Sequence, residues 1–247
     1  FGAQLDALVA LRPAVASFTF GILTAAQVAR LQAVGSLVVG TATTVAEAQA
    51  WAAVGANAVC ASGMEAGGHR GTFLGDFQSS LVGTLALLPQ CVDALDIPVI
   101  AAGGIMDGRG IAAAQALGAQ AVQMGTAFLT CPESSISPAY RQALVQAKDT
   151  DTRLTRIFSG RPARGIVNPM MQAMADDEAN VPASPVQNAL TGALRRAAAA
   201  QGRSSHLSLW AGQGVAAVRP QPAAQLVAAL AEEWRAACRQ LSAATAH

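Results

Sequence analysis

Charge is scarce in this chain of 247 residues: Asp, Glu, Lys and Arg make up 13% of it, and the formal net charge is +1. Aromatic residues are scarcer, at 4%, with a single tyrosine. A nucleic-acid surface needs clustered cations and stacking rings, so neither nucleic acid nor a membrane surface is expected as a partner. Lysine is almost missing, one Lys against fifteen Arg, a bias of composition with no function attached. Long apolar runs are missing too. The longest uncharged stretch, Gly110 to Pro132, is interrupted by Gly118 and Gly125 and carries three glutamines, too polar and broken to span a bilayer. No basic-then-apolar signal segment opens the chain, and the expectation is a soluble protein of the cytoplasm. The four cysteines, Cys60, Cys91, Cys131 and Cys238, have no Cys-x-x-Cys pair and no histidine at ligand spacing. Scattered reduced thiols are expected, with no metal site. Gly-x-Gly-x-x-Gly and Walker sequences are absent, which counts against Rossmann and P-loop folds.

What is plentiful is apolar, 52% of all residues, enough for a large core in one α/β domain or two smaller ones. The phrase small–[Val/Leu]–Gly recurs as Ala33-Val34-Gly35, Ala53-Val54-Gly55 and Ala116-Leu117-Gly118. Each copy follows an Ala-rich helical stretch and precedes an apolar, β-branched run. A Gly just past a helix end takes the left-handed conformation, so a strand can begin at once. Thr24-Ala-Ala-Gln27 and Thr44-Val-Ala-Glu47 read as capping boxes at helix starts, and Asp107 as the cap of a helix through Gly110–Leu117. Strands are predicted near 15–20, 37–41, 57–61, 97–102 and 120–126. Most are about 21 residues apart, the length of a tight βα unit in a parallel sheet.

Between the third and fourth strands the spacing doubles, making room for a Gly-rich segment, Ser62–Ser80, and a helical stretch near Val82–Leu95. Long loops at the C-terminal ends of strands are where α/β folds place chemistry. After Pro132 the rhythm stops. Helical patterns at 137–148, 186–200 and 222–243 surround Arg153–Pro185, which reads as irregular and lid-like.

Three segments carry candidate chemistry. The first is Ser62-Gly-Met-Glu-Ala-Gly-Gly-His-Arg-Gly71. Its glycines let backbone approach a ligand, and a neutral His69 could accept a proton or bond a substrate anion. For a lone histidine near glycines, an ordinary exposed turn is the commoner outcome. The second and third are Ile97-Pro-Val-Ile-Ala-Ala-Gly-Gly-Ile105 and Val122-Gln-Met-Gly-Thr-Ala-Phe128, strands that end in glycine. Each alone is a tight βα turn. Successive strands ending so present converging N–H groups, as in a barrel phosphate site, and together they favour a phosphate-bearing cofactor.

Glu65-Ala-Gly-Gly-His-Arg-Gly71, Pro98-Val-Ile-Ala-Ala-Gly-Gly-Ile105 and Gln123-Met-Gly-Thr126 strongly resemble the nitronate monooxygenase family, formerly called 2-nitropropane dioxygenases. Phe158-Ser-Gly-Arg-Pro-Ala-Arg164, Gln187-Asn-Ala-Leu-Thr191 and Ser208-Leu-Trp-Ala-Gly-Gln213 extend the resemblance over essentially the whole chain. The first three motifs are shared with flavin-dependent enoyl-acyl-carrier-protein reductases II, and some members resemble NADH:quinone reductases. The resemblance implies a TIM-type (β/α)8 barrel holding FMN and no metal. By position, Ser62, Gly67, Gly103, Gln123, Met124, Gly125 and Thr126 match the family's flavin contacts, with Gly104 counted beside Gly103. His69 matches its catalytic histidine. The family usually has Gln where this chain has Ser62. Val15–Phe20 matches the family's fourth strand, so the barrel is expected to be truncated to about five C-terminal βα units, too few to close. The expected domains are a partial FMN-binding barrel, 1–132, and a mostly helical C-terminal cap, 133–247.

The activity so implied is oxidation of alkyl nitronates, or of nitroalkanes, by O2 through a flavin semiquinone, giving a carbonyl compound and nitrite. His69 would orient or deprotonate the substrate. The expected partners are the nitronate and O2, and a homodimer is compatible with them. One alternative is an NADH-dependent FMN reductase of the enoyl-acyl-carrier-protein or quinone type. The other is an inactive fragment or a flavin-binding module. Trp51, Met170, Met171 and Met174 read as packing, and Trp210 lies near the site by analogy. Arg161 and Arg164 could meet an anionic substrate or an NADH phosphate, but the commoner role is a surface or interdomain ion pair. Glu65 reads as an acceptor for N–H groups of the glycine loop, while His206 and His247 carry no motif.

Overall fold

Helices and strands alternate from the start in the order α1 (Gly2–Leu11), β1 (Val15–Phe18), α2 (Ala25–Gln32), β2 (Leu37–Ala42), α3 (Val45–Ala53), β3 (Ala58–Ser62), β4 (Gly68–His69), α4 (Thr84–Asp93), β5 (Val99–Ala102), α5 (Gly108–Ala116) and β6 (Ala121–Gln123). Then come α6 (Pro138–Gln146), β7 (Thr152–Thr155), β8 (Ala163–Ile166), α7 (Pro169–Ala173), α8 (Val186–Ala200) and α9 (Ala223–Ala244). The computed structural model describes residues 1–244, so His247 lies outside the described residues. The chain forms two compact units. The first comprises Phe1–Met64, Gly71–Ala102 and Ala113–Gln123; the second comprises Glu65–Arg70, Gly103–Ala112 and the chain from Met124 onward.

In the first unit five parallel strands stand in the order β1-β2-β3-β5-β6. Spatial order follows chain order, as in a barrel wall and unlike the reversal of a doubly wound sheet. The repeated turns explain it. Gly35, Gly55 and Gly118 all take positive φ after their helices, +89°, +89° and +95°, so each strand starts without a linker. Thr24 and Gln27 form a complete capping box. The second box is only half made: Thr44 accepts from Glu47 N–H, but the Glu47 side chain goes elsewhere. That side chain is fully buried and accepts from Thr43 N and Oγ1 at 2.6 and 2.7 Å, and from Phe73 N and Leu74 N at 2.5 and 2.9 Å. A carboxyl group is buried at low cost only when its oxygens are bonded in this way. Here it pins the loop after Gly71 to the start of α3. Trp51, also fully buried, lies flat against Gly40, where a Cβ would fall 2.0 Å from the indole. At the strand ends Ser62 pairs with Ala102, and Ala102 with Gln123. These strand ends thus share one edge of the sheet.

The second unit holds an antiparallel sheet, β4-β8-β7. Arg153–Pro185, which the sequence pattern leaves irregular, contains most of β7, all of β8 and the short α7. Strands of four residues, rich in Thr and Arg, lack the alternation that reveals longer ones. Ile157, Phe158, Met170 and Met171 form one apolar cluster. Leu144, Leu207, Leu209, Ala211 and Val215 belong to a second, and Met106, Ala127, Leu226 and Leu230 to a third. Asp107 caps α5 by accepting from Arg109 and Gly110 N–H at 3.0 Å each. Glu233 on α9 accepts from Gly108 N at 3.0 Å and pairs with Arg219. A Cβ at Gly108 would lie 2.1 Å from Trp234 N, so α5 reaches α9 only through a glycine. Beside this contact is a cavity of about 410 Å³ lined by Met106, Asp107, Arg219 and Glu233. Among the described residues no helix is long and apolar enough to cross a membrane.

Candidate functional site

His69 is carried on β4, paired with Ala163 of β8, so a strand register and not a loop fixes its direction. Its Nε2 lies 2.8 Å from Ser159 Oγ. The ring meets Trp210 edge to face, centroids 5.2 Å apart, and Trp210 meets Phe158 the same way at 5.5 Å. Trp210 is fixed in turn: Tyr140 O–H donates to its carbonyl, and its backbone bridges Gly165. A side chain at Gly165 would run into Leu209 O at 2.8 Å, which explains the glycine between two buried neighbours of β8. Burial, followed by the charges of Arg161 and Arg195, holds the His69 pKa below the ordinary histidine value. The ring is therefore neutral at neutral pH, an acceptor in a cationic field.

The glycine loop is anchored beside it. A Cβ at Gly67 would sit 2.5 Å from Gly212 N and 2.6 Å from the Ala211 carbonyl carbon. Gly212 N donates to Thr126 Oγ1 at 2.9 Å, and Gln213 N donates to Glu65 O at 2.9 Å. The Ser208–Gln213 segment thus ties Glu65–Gly67 to Thr126. The Glu65 charge also favours the charged form of Arg164, against the burial that lowers it. Arg164 is buried, with Nη1 donating to Thr152 Oγ1 at 3.3 Å, and Arg161 Nε donates to Arg70 O at 3.2 Å. Arg164 is not a surface residue: β8 is covered along its length, and its guanidinium bonds inward.

The nitronate monooxygenase family model matches residues 1–233. The chain belongs to the nitronate monooxygenase family. A probable nitronate monooxygenase of Staphylococcus haemolyticus is 45% identical over 235 residues, which are 94% of this chain and 66% of the relative. The chain thus spans just under two thirds of that relative. Among solved structures it is similar to a nitroalkane oxidase from Streptomyces ansochromogenes, with a TM-score of 0.92 and 44% identity over 97% of this chain and 69% of that one. It is also similar to FabK from Thermotoga maritima, with a TM-score of 0.83 and 31% identity over 98% and 74%. The α/β fold with its parallel sheet is that of these TIM-barrel-like proteins.

The residues matched to flavin contacts fall in both units. Ser62 and Gln123 end β3 and β6 in the first. Gly67, Gly103, Gly104, Met124, Gly125 and Thr126 belong to the second, as does His69. Within the second unit Gly67 and Thr126 are brought together through Gly212, and Gly104 faces the Glu65 side chain. Gly103 and Gly104 have positive φ, +113° and +72°. A Cβ at Gly125 would meet nothing within 4 Å. Sequence reasoning assigned no role to Ser159 or Arg195. The signal for Ser159 is its place in the Phe158–Arg164 motif; Arg195 lies on α8 outside any motif.

Met170 and Met171 are buried in the Ile157 cluster, and Trp51 in the first unit's core. Cys60 and Cys91 are buried thiols pushed up to about 12 and about 11 by desolvation, inert at neutral pH. Among the described residues no three His, Cys, Asp or Glu side chains cluster as metal ligands.

Proposed function

We propose that this chain is the catalytic part of an FMN-dependent oxidoreductase that oxidises alkyl nitronates, or nitroalkanes, with O2 to a carbonyl compound and nitrite. The observation that carries this reading is His69, half-buried, hydrogen-bonded to Ser159 and held neutral by burial and by the charges of Arg161 and Arg195. A neutral base in a positive field suits a substrate that is an anion or becomes one when it loses its α-proton. Arg161 and Arg195 lower the energy of that anion, the Trp210 edge keeps water from one side of the ring, and His69 orients the nitronate or accepts the α-proton.

The residues present fit FMN. The phosphate would lie against Gly103, Gly104, Gly125 and Thr126, where positive φ and the open side of Gly125 leave backbone approachable. Ser62, Gly67, Gln123 and Met124 would hold the rest of the cofactor. When bound, FMN supplies the redox chemistry that no side chain here can perform. We assign FMN binding chiefly to 1–132 and the covering of the substrate to 133–247, with the five parallel strands as part of an eight-stranded barrel.

The test is to add FMN to the purified chain and follow its visible spectrum without oxygen, before and after an alkyl nitronate. A bound flavin that the nitronate reduces supports the proposal. A bound flavin reduced only by NADH transfers the chain to the reductases, and failure to retain FMN removes the cofactor assignment for residues 1–247.

A further inference from the structure

Ser159 and His69 are 90 residues apart in sequence and 2.8 Å apart in space. The serine is 4% exposed, too little for water to decide how its hydroxyl is used. Its Oγ has three neighbours: His69 Nε2, the Arg161 carbonyl at 3.1 Å and the Arg161 N–H at 3.3 Å. A hydroxyl has one proton to give and two lone pairs. The Arg161 amide can only donate to it, and the Arg161 carbonyl can only accept from it. With the hydroxyl proton on that carbonyl, a lone pair faces His69, and Nε2 must carry a hydrogen to complete the contact. The same bond survives when the ring takes up a second proton, because Nε2 is a donor in both states.

The surroundings hold this arrangement in place. Gly160 has φ +78°, and a Cβ there would lie 2.2 Å from Pro182 O, so the turn admits only glycine beside the serine. From α8, Gln187 donates to Ile157 O at 2.6 Å and Thr191 to Phe158 O at 2.5 Å. These bonds give a purpose to the Gln187–Thr191 motif: they fix the two carbonyls preceding Ser159. On the other side the pairing of His69 with Ala163 sets the ring, and Trp210 limits its rotation. Arg70 directly follows His69, Arg164 lies on β8 beside Ala163, and Arg195 and Arg196 lie on α8; the charges that oppose a proton on the ring are those of Arg161 on the turn and Arg195.

We propose that Ser159 is the positioning residue for His69: with the Arg161 carbonyl it fixes the Nε2–H tautomer, so that the ring's basic lone pair is the one on Nδ1. This rests on His69 being the base of the proposed reaction, but its test does not need turnover. The chain has three histidines, so long-range proton–nitrogen spectra of histidine-labelled protein resolve each ring, with His69→Asn assigning one set. His206, whose Nδ1 lies 2.8 Å from Ser205 Oγ, is the internal comparison.

Above the titration of His69, the expected spectrum has Nε2 protonated and Nδ1 bare, with an Nε2 proton slow to exchange. In Ser159→Ala that proton is lost to fast exchange and the ring becomes a mixture of tautomers. A bare Nε2 in the unsubstituted chain overturns the proposal, whether or not the variant folds. So does an unchanged His69 spectrum in Ser159→Ala. In the FMN-loaded protein, Ser159→Ala should lower kcat for a neutral nitroalkane about tenfold, a fraction of what a general base contributes, and leave oxidation of the preformed nitronate nearly unchanged. Equal losses on both substrates would mark Ser159 as merely structural and overturn its role toward the base. A correct tautomer with no oxidation of either substrate would instead overturn the functional proposal.

Discussion

His69 is kept neutral by burial and by two guanidinium groups, so each can be removed in turn. Arg195→Ala takes away a cation that opposes protonation, and the His69 pKa should rise toward its ordinary value of 6.5. The acid limb of the nitroalkane pH profile should move up with it; a limb that stays or moves down would contradict the electrostatic account. Stability follows the same sign. The folded state binds the proton less readily than the unfolded chain, so the His69 contribution is complete above 6.5 and is lost as pH falls toward the depressed folded value. His69→Asn should flatten that part of the stability curve and abolish turnover of neutral nitroalkanes while FMN still binds. A variant with full activity would remove His69 from the chemistry. Glu47 is a different kind of residue, structural and fully buried. Glu47→Ala leaves up to four donors without an acceptor and should cost about 3 kcal/mol or more, read from denaturant unfolding. His69 was legible as a candidate because glycines surround it, but its serine partner was not, since nothing in a linear pattern connects positions 90 residues apart.

At the scale of elements, the parallel strands were legible because each βα unit repeats its own punctuation: a threonine or aspartate start, an alanine-rich body and a glycine stop. Thr24→Ala should cost about 1 kcal/mol, the usual worth of an N-cap, and Gly40→Ala considerably more, since its methyl has no room beside Trp51. Comparing their thermal midpoints checks the order; equal shifts would mean that Trp51 has room to move. α1 escaped because Phe1 offers no capping side chain and only Leu5 of its apolar residues is buried. β4 escaped because two residues make no pattern, and β7 because its Thr and Arg side chains carry no alternating apolar signal.

For the whole molecule, hydrogen exchange should resolve the parallel sheet into a protected centre and open sides. β2, β3 and β5 each have strands on both sides, whereas β1 and β6 are the outer strands of the described sheet. Val15 and Leu37, partners across the β1–β2 register, are 52% and 53% exposed. Amides of β1 and β6 should exchange well before those of β3, and uniform protection across all five strands would contradict this. The interleaving of the two units had no counterpart in composition. Glu65–Arg70 and Gly103–Ala112 are short excursions between strands, and they belong to the second unit through contacts made far along the chain.

The two-residue β4 also sets how the family's chain length can vary. Residues added near Asp76, beyond the bonds of Phe73 and Leu74 to Glu47, need not move the imidazole, because its direction is inherited from Ala163 across the ladder. A single residue inserted between Gly160 and Ala163 would instead lengthen the turn that carries Ser159 and move the serine away from a ring whose direction the ladder keeps. Among relatives, the stretch Phe158–Arg164 should therefore be constant in length even where its side chains change, and the loop near Asp76 should be where insertions accumulate.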